Sequence, residues 1–326
     1  FLVREFLHIE PFKNRSLLKT LPLVCSIIHL ANPLNIHAVT YISSRSSLLA
    51  TFFYLLAFYI FLKIIKPVKE EVYKLRIPIL VSGLLLILFL GIASKEIVAS
   101  FPLIAIVYLW LATPNEKRKC LIPKLISILF LLLIFLGYRY FEQGNLFSLK
   151  ADPTSGDTHR LLYLLSQIKV ILGYYLLKLL TPFNLNFEPD LVVYSSWFHW
   201  DWIISLTILL IAGIVIFKQQ SNLIKFGALW FLITLLPTSS FIPLKQLATE
   251  HRTYLPGLGF SLVLGWVILN IKNYQKIAKL FFLIFILLLS TLTLNRSLDF
   301  RSEVSLWEDT SRKSPRKALV HNNLAT

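Results

Sequence analysis

The chain reads as an all-α protein built as a polytopic transmembrane helix bundle. Three observations lead there. Its 326 residues are 56% hydrophobic, with a mean hydropathy of +0.68, whereas soluble domains are about 45–50% apolar. Runs approaching the ~20 apolar residues that cross a bilayer recur along it. Its polar residues gather in short knots at the ends of those runs, where ionisable groups are costly to hold and therefore mark function.

Taken in order, the expected crossings number about nine. The first, 17–33, is closed by Asn32-Pro33, because proline disfavours helix in the residue before it, and Arg45 opens the second, 47–64. Ser94-Lys95-Glu96 makes a tight turn between 77–93 and 97–113. The run 121–140 follows Lys117-Arg118-Lys119. The stretch 161–181 carries Gln167, Lys169 and Lys178, which a free-standing span tolerates poorly. It is expected to lie on the surface or re-enter, returning through Trp197-Phe198-His199-Trp200 at the interface. A full crossing with a return over 182–200 is the alternative. The remaining runs are 201–217, 222–237, 254–271 (opened by Tyr254 and Pro256) and 277–295. Two domains follow: a multi-span membrane domain over 1–295, and an extracytoplasmic linker with the start of a tetratricopeptide repeat over 296–326.

The net charge of +16 would suggest nucleic acid in a soluble chain. Here the basic residues sit in short loops between spans, so nucleic-acid binding is excluded and membrane lipid headgroups are the partner. The loops 1–19, 63–76, 115–124, 218–225 and 272–279 hold more than half of the 33 basic residues and are expected to be cytoplasmic. Parity then puts the C-terminus and all the polar knots on the opposite side. Cys25 and Cys120 make no disulfide framework. The chain opens on Phe1, contains no methionine and shows no signal peptide, so it is expected to be a fragment of a longer protein.

The knots are His37 to Arg45, Ser94-Lys95-Glu96, Gly156-Asp157-Thr158-His159-Arg160 and Glu250-His251-Arg252-Thr253-Tyr254. Arg45, Lys95 and Arg252 are candidate phosphate ligands, since guanidinium and ammonium groups pair with phosphate oxygens. Glu250 and Glu96 are the candidate catalytic carboxylates, able to orient the cations or act as a base. His37, His251, His159, Arg160 and Tyr254 complete the candidate substrate-binding set. Snorkelling arginines, a capping histidine and salt-bridged helix entries would explain each knot singly. No glycine-rich phosphate loop, zinc spacing or nucleophile elbow occurs. No metal ligand set is read from the spacing; a divalent cation on Asp or Glu is left open without support.

The ordered set of motifs resembles the membrane domain of the transmembrane and tetratricopeptide-repeat O-mannosyltransferases and their bacterial relatives. The matching pieces are Asn32-Pro33-Leu34-Asn35-Ile36-His37-Ala38-Val39 with Ser44-Arg45, Ser94-Lys95-Glu96, and Trp230-Phe231-Leu232 through Leu236-Pro237-Thr238-Ser239-Ser240. Glu250 to Phe260, Ser305-Leu306-Trp307-Glu308, Ser314-Pro315 and His321-Asn322-Asn323-Leu324 continue it to the end. The resemblance implies a C-type glycosyltransferase fold, a polyprenyl-phosphate-linked sugar donor, and a protein acceptor met through tetratricopeptide repeats. It also implies acidic residues in a loop after the first helix; that loop is absent here, and Asn32 and His37 stand where family members usually carry His and often Glu.

The function expected is therefore an inverting, polyprenyl-phosphate-sugar-dependent glycosyltransferase, O-mannosyltransferase-like, working on the extracytoplasmic side of a bacterial inner membrane. The base would lie in a segment preceding residue 1, leaving the fragment itself inactive. The competing reading is a non-catalytic anchor for an extracytoplasmic repeat scaffold. A transporter would place charges in the middle of several spans, and few are seen.

Overall fold

The computed structural model describes residues 15–65, 70–113, 115–142, 160–239, 244, 246–271 and 275–325. Among them there is no strand. The helices are α1 Arg15–Leu30, α2 Asn35–Thr40, α3 Arg45–Ile65, α4 Glu70–Ser94, α5 Phe101–Ala112, α6 Asn115–Glu142, α7 Arg160–Leu180, α8 Trp200–Lys218, α9 Asn222–Leu235, α10 Pro256–Leu269, α11 Gln275–Asp299, α12 Glu303–Lys313 and α13 Ala318–Ala325. The fold is an all-α helical membrane protein.

Five segments are long and apolar enough to cross a membrane: Ile42–Ile65, Ile77–Ser94, Arg160–Leu180, Trp200–Lys218 and Lys279–Asp299. Four further apolar helices are shorter than these five: Thr20–Leu30, Glu96–Ala112, Asn222–Leu235 and Pro256–Leu269. Polar knots lie at their ends. α1 stops at Leu30, and the chain turns through Asn32, whose side-chain oxygen accepts the Leu34 N–H at 3.1 Å. α5 and α10 are each entered through a 3₁₀ turn, Glu96–Ser100 and Glu250–Thr253.

The core is an aromatic stack between α3, α5 and α9. Trp230 lies 5.4 Å from Tyr54 and 5.8 Å from Phe58, ring to ring. The polar handles are satisfied, as buried aromatics require: the Tyr54 hydroxyl meets Ser100 at 3.2 Å, and Trp230 Nε1 donates to the Leu255 carbonyl at 3.0 Å. α9 and α10 cross at paired glycines. A Cβ on Gly259 would sit 2.4 Å from the Gly227 carbonyl oxygen, so only glycine lets these backbones meet. The outer faces are apolar: Ile208, Ile211 and Phe217 of α8 are about half exposed, a pattern suited to lipid contact. Cys25 is buried, Cys120 is exposed, and both are free.

By length α7 is able to cross a membrane, but its partners lie at one end of the bundle. Gln167 donates to the Leu247 carbonyl at 2.8 Å, the Tyr175 hydroxyl accepts the Thr249 N–H at 3.4 Å, and the Leu179 carbonyl accepts from Asn32 at 3.4 Å. Side chains along α7 are thus anchored to the polar knots, while its first half also packs on α8. Its polar residues have partners: Lys169 pairs with Asp201 at 2.6 Å and Lys178 donates to the Phe183 carbonyl at 2.7 Å.

The C-terminal helices are docked on that same end. Ser314 is fully buried; its hydroxyl donates to the Glu188 carbonyl at 2.8 Å and accepts from Asn186 at 2.7 Å. Lys313 donates to the Leu185 carbonyl at 2.7 Å, and Lys317 pairs with Glu188 at 2.6 Å. Trp307 packs edge-on to Phe187 at 5.2 Å. From sequence, Glu188 and Asp190 look like two surface carboxylates; Asp190 is exposed, but Glu188 is only 2% exposed, held by Ser314 and Lys317 of the turn between α12 and α13 and by Gln246.

Candidate functional site

Three of the four polar knots meet in one place. Lys95 sits in extended backbone between α4 and the 3₁₀ turn. This turns its side chain across to the first turn of α3, where Nζ donates to Ser47 Oγ at 2.7 Å. Thr249 is likewise extended, and the tight turn Glu250–Thr253 follows. It folds Arg252 back over its own approach loop, with donations to the Gln246 carbonyl at 2.9 Å and the Leu247 carbonyl at 3.2 Å.

Lys95 and Arg252 line a common pocket with Ser47, Thr51, Thr238, His251 and Tyr254. Arg252 is 7% exposed, and its partners are carbonyl dipoles rather than charges. Among the described residues no carboxylate stands within ion-pair distance of either cation. Two partly dehydrated positive charges without counter-ions form a place for an anion. Burial pulls the Lys95 ammonium down to about 8; neighbouring Glu96 opposes that shift and Arg252 adds to it.

Behind the pocket lies a second cluster. Glu250 is fully buried and faces away from Arg252. Its Oε2 accepts from Arg296 at 3.2 Å and lies 3.9 Å from His37 Nδ1. The other guanidinium edge of Arg296 is held by Asp299 and Asp309, each at 3.0 Å. Burial pushes the Glu250 carboxyl upward, against the pull of Arg296; the charge-assisted contact makes the carboxylate the arginine's counter-ion. His37 Nε2 and His251 Nδ1 are 3.3 Å apart. Burial first, then nearby cations, lowers His37 to about 3 and His251 to about 2, so both imidazoles are neutral.

The other candidate residues are distributed as follows. Tyr254 lines the pocket and packs on His29 at 5.2 Å. Glu96 is half-buried beside Lys95. Arg45 is exposed at the start of α3, two residues before Ser47, and does not line the pocket. Arg160 is exposed at the start of α7, and His159 lies outside the described residues. The expectation that Glu250 orients Arg252 is replaced by the Glu250–Arg296 pair: the turn points the carboxylate toward α11 and the guanidinium toward residues 246–247. Sequence reasoning passed over Arg296, Ser47, Thr51 and Thr238. The one signal for Arg296 was its place at the end of an apolar run, which it shares with the other knots. Among the described residues no group of three His, Cys, Asp or Glu side chains is placed to hold a metal ion.

With this geometry established, comparison with known proteins adds one likeness. The chain is similar to the protein O-mannosyl-transferase F38B6.6 of Caenorhabditis elegans. The two are 26% identical over 330 residues, covering 99% of this chain and 44% of that protein. The chain therefore spans less than half the length of that relative. No protein-family model matches it, and no solved structure does.

Proposed function

We propose that this chain is the membrane module of a glycosyltransferase of the O-mannosyltransferase type, which takes a sugar from a polyprenyl phosphate and passes it to a protein hydroxyl. The observation that carries the reading is the pocket where Lys95 and Arg252, 157 positions apart in sequence, bring two positive charges together with no carboxylate in ion-pair contact among the described residues. The likeness to a protein O-mannosyl-transferase over nearly the whole chain supports the same reaction class.

In the proposed reaction the acceptor hydroxyl oxygen attacks the anomeric carbon and the bond from that carbon to the phosphate oxygen breaks with inversion, the hydroxyl proton ending on the departing phosphate, which leaves as polyprenyl hydrogen phosphate. Negative charge grows on the departing lipid phosphate. Lys95 and Arg252 are placed to neutralise it, and fixed charges in a site sheltered from water do so at little reorganisation cost. Glu96 is the carboxylate beside Lys95 and partly offsets the effect of burial on its charge. Glu250 works through Arg296 and His37 rather than on the substrate. Arg45, exposed on the first turn of α3 two residues before Ser47, adds positive charge to that helix end. The lysine- and arginine-rich loops at the far ends of the spans support transfer on the extracytoplasmic side, with the docked C-terminal helices on that side and available to a protein acceptor.

The test is sugar transfer by the natural-length protein in proteoliposomes, using polyprenyl-phosphate mannose and a serine- or threonine-containing peptide. Arg252→Ala and Lys95→Ala should each lower the transfer rate by about 10²–10³-fold, the scale for losing one preorganised charge stabiliser. Transfer unchanged by Arg252→Ala would rule the assignment out.

A further inference from the structure

The pocket holds more than its two cations. Thr51 spends its hydroxyl hydrogen on the Ser47 carbonyl at 2.8 Å, and Thr238 spends its own on the Leu235 carbonyl at 3.2 Å. These groups therefore turn lone pairs, not hydrogens, toward a ligand. His251 belongs with them. Its ring is addressed through a chain of contacts from Arg296 to Glu250, to His37, to His251. The Glu250 carboxylate lies 3.9 Å from His37 Nδ1, beyond hydrogen-bond reach, and Nδ1 has no other partner among the described residues; the nearby negative charge favours the tautomer with the His37 proton on Nδ1. His37 Nε2 then carries a lone pair and accepts from His251 Nδ1–H at 3.3 Å. That leaves His251 Nε2 as an acceptor. Its contact within the chain is the Thr249 hydroxyl at 3.5 Å, the outer limit of a hydrogen bond. His37 has little freedom to do otherwise, since it is 2% exposed and enclosed by Phe187 at 4.6 Å, Tyr41 at 5.7 Å and Phe300 at 5.8 Å.

We infer that His251 is a specificity-determining residue whose Nε2 accepts a hydrogen bond from a hydroxyl of the phosphate-borne sugar, with His37 and the Glu250–Arg296 pair as the positioning residues that set its tautomer; this rests on the lipid-phosphate reading above. A bare phosphate has use only for the cations. A phosphate ester carrying a polyol has use for both the cations and the acceptors beside them, so the ligand class that fits is a glycosyl phosphate rather than a phosphate alone. Neutral imidazole suits the task, because a protonated ring would offer only donors.

The test is equilibrium binding of labelled polyprenyl monophosphate and of its mannosyl ester to the detergent-solubilised natural-length protein. Measured at about pH 5, where the monophosphate like the ester carries a single charge, the wild type should favour the ester over the monophosphate, and the share of that preference owed to one hydrogen bond is about tenfold. His251→Phe should lower ester affinity by about tenfold and leave monophosphate affinity, which doubles as the folding control, unchanged. His251→Gln, which keeps an acceptor, should recover the ester preference, and His37→Phe should lose part of it. Arg252→Ala should weaken both ligands together. Equal binding of the two ligands by the wild type, or an ester preference that survives His251→Phe, overturns the inference while leaving the lipid-phosphate reading in place. So does a loss of both ligands in His251→Phe that His251→Gln does not repair. Binding of neither ligand by the wild type overturns both.

Discussion

Arg296 and Glu250 meet at 3.2 Å although 46 residues separate them, and the contact joins the last membrane helix to the turn that carries Arg252. Both side chains are buried, 4% and 0% exposed. Removing one partner strands the other's charge in a dehydrated setting, which typically costs about 3–5 kcal/mol. Arg296→Met should therefore lower the unfolding free energy in detergent by about that amount, read from denaturant midpoints. Arg296→Met combined with Glu250→Gln leaves no fully buried charge stranded, since Asp299 and Asp309 are 31% and 21% exposed and Asp309 keeps Lys313, and should recover much of the loss. If the double variant is as unstable as the single, the cost comes from packing rather than from charge.

The crossing of α9 and α10 sets the height at which Thr238 and Arg252 face each other. At Gly259 an added Cβ would meet the Gly227 oxygen at 2.4 Å and the Phe231 nitrogen at 2.9 Å, both backbone atoms that cannot swing away. Gly259→Ala should cost about 1–3 kcal/mol or more by overpacking and should weaken anion binding at the pocket as the helices part. Gly213 of α8 has nothing within 4 Å of the same added atom. Gly213→Ala should be neutral or stabilising by up to about 1 kcal/mol, since alanine is the better helix former. Equal thermal midpoints for the two variants would contradict the close crossing.

The helical class, the order of the elements and the polar end of the bundle were legible because each rests on local pattern. Apolar runs mark crossings, and proline or a charged knot marks where they stop. Lys95 and Arg252 stood out because charge at a helix end is costly enough to carry meaning by itself. What was not legible depends on pairing across long stretches of chain. Nothing near Arg296 names Glu250 as its partner, and nothing near Glu188 shows that Lys317 and Ser314 will cover it. Ser47 and Thr51 are common residues in apolar helices, Thr238 is an ordinary turn residue after one, and they acquire a role only when three helix ends are brought together. The lengths of α9 and α10 were overestimated for a related reason: hydropathy continues through Leu236-Pro237 and Tyr254-Leu255, where the regular α-helical ladder has ended or not yet begun.

Docking of α12 and α13 depends on a short list of contacts around Glu188. Lys317 binds one carboxylate oxygen at 2.6 Å, and Gln246, whose backbone carbonyl holds Arg252, binds the other. Glu188→Ala should release the C-terminal pair and raise the rate of limited tryptic cleavage at Arg312, Lys313, Arg316 and Lys317 by about tenfold, the factor that accompanies a loss of about 1.4 kcal/mol in local opening. Lys317→Ala should do less, because that side chain is 24% exposed and its charge is partly screened. An unchanged cleavage rate in Glu188→Ala would mean that the Trp307–Phe187 packing alone holds the helices down.

The pH dependence of ligand binding has a definite sign. Only the protonated Lys95 attracts an anion. In the free pocket burial holds this lysine near 8, and Glu96 and Arg252 pull it in opposite directions. A bound phosphate raises it, because an adjacent negative charge favours the ammonium. By linkage, affinity should be level below about pH 8 and fall as pH rises past it, by up to tenfold per pH unit, until the bound-state value is reached. The mannosyl phosphodiester is the ligand to use, since it carries a single charge throughout the range. His37 and His251 sit far below the window, at about 3 and about 2, and do not contribute. Lys95→Arg keeps its charge at higher pH and should flatten the profile between pH 8 and 10. A wild-type affinity that is level across that interval would show that Lys95 does not touch the phosphate, and the anion site would then rest on Arg252 alone.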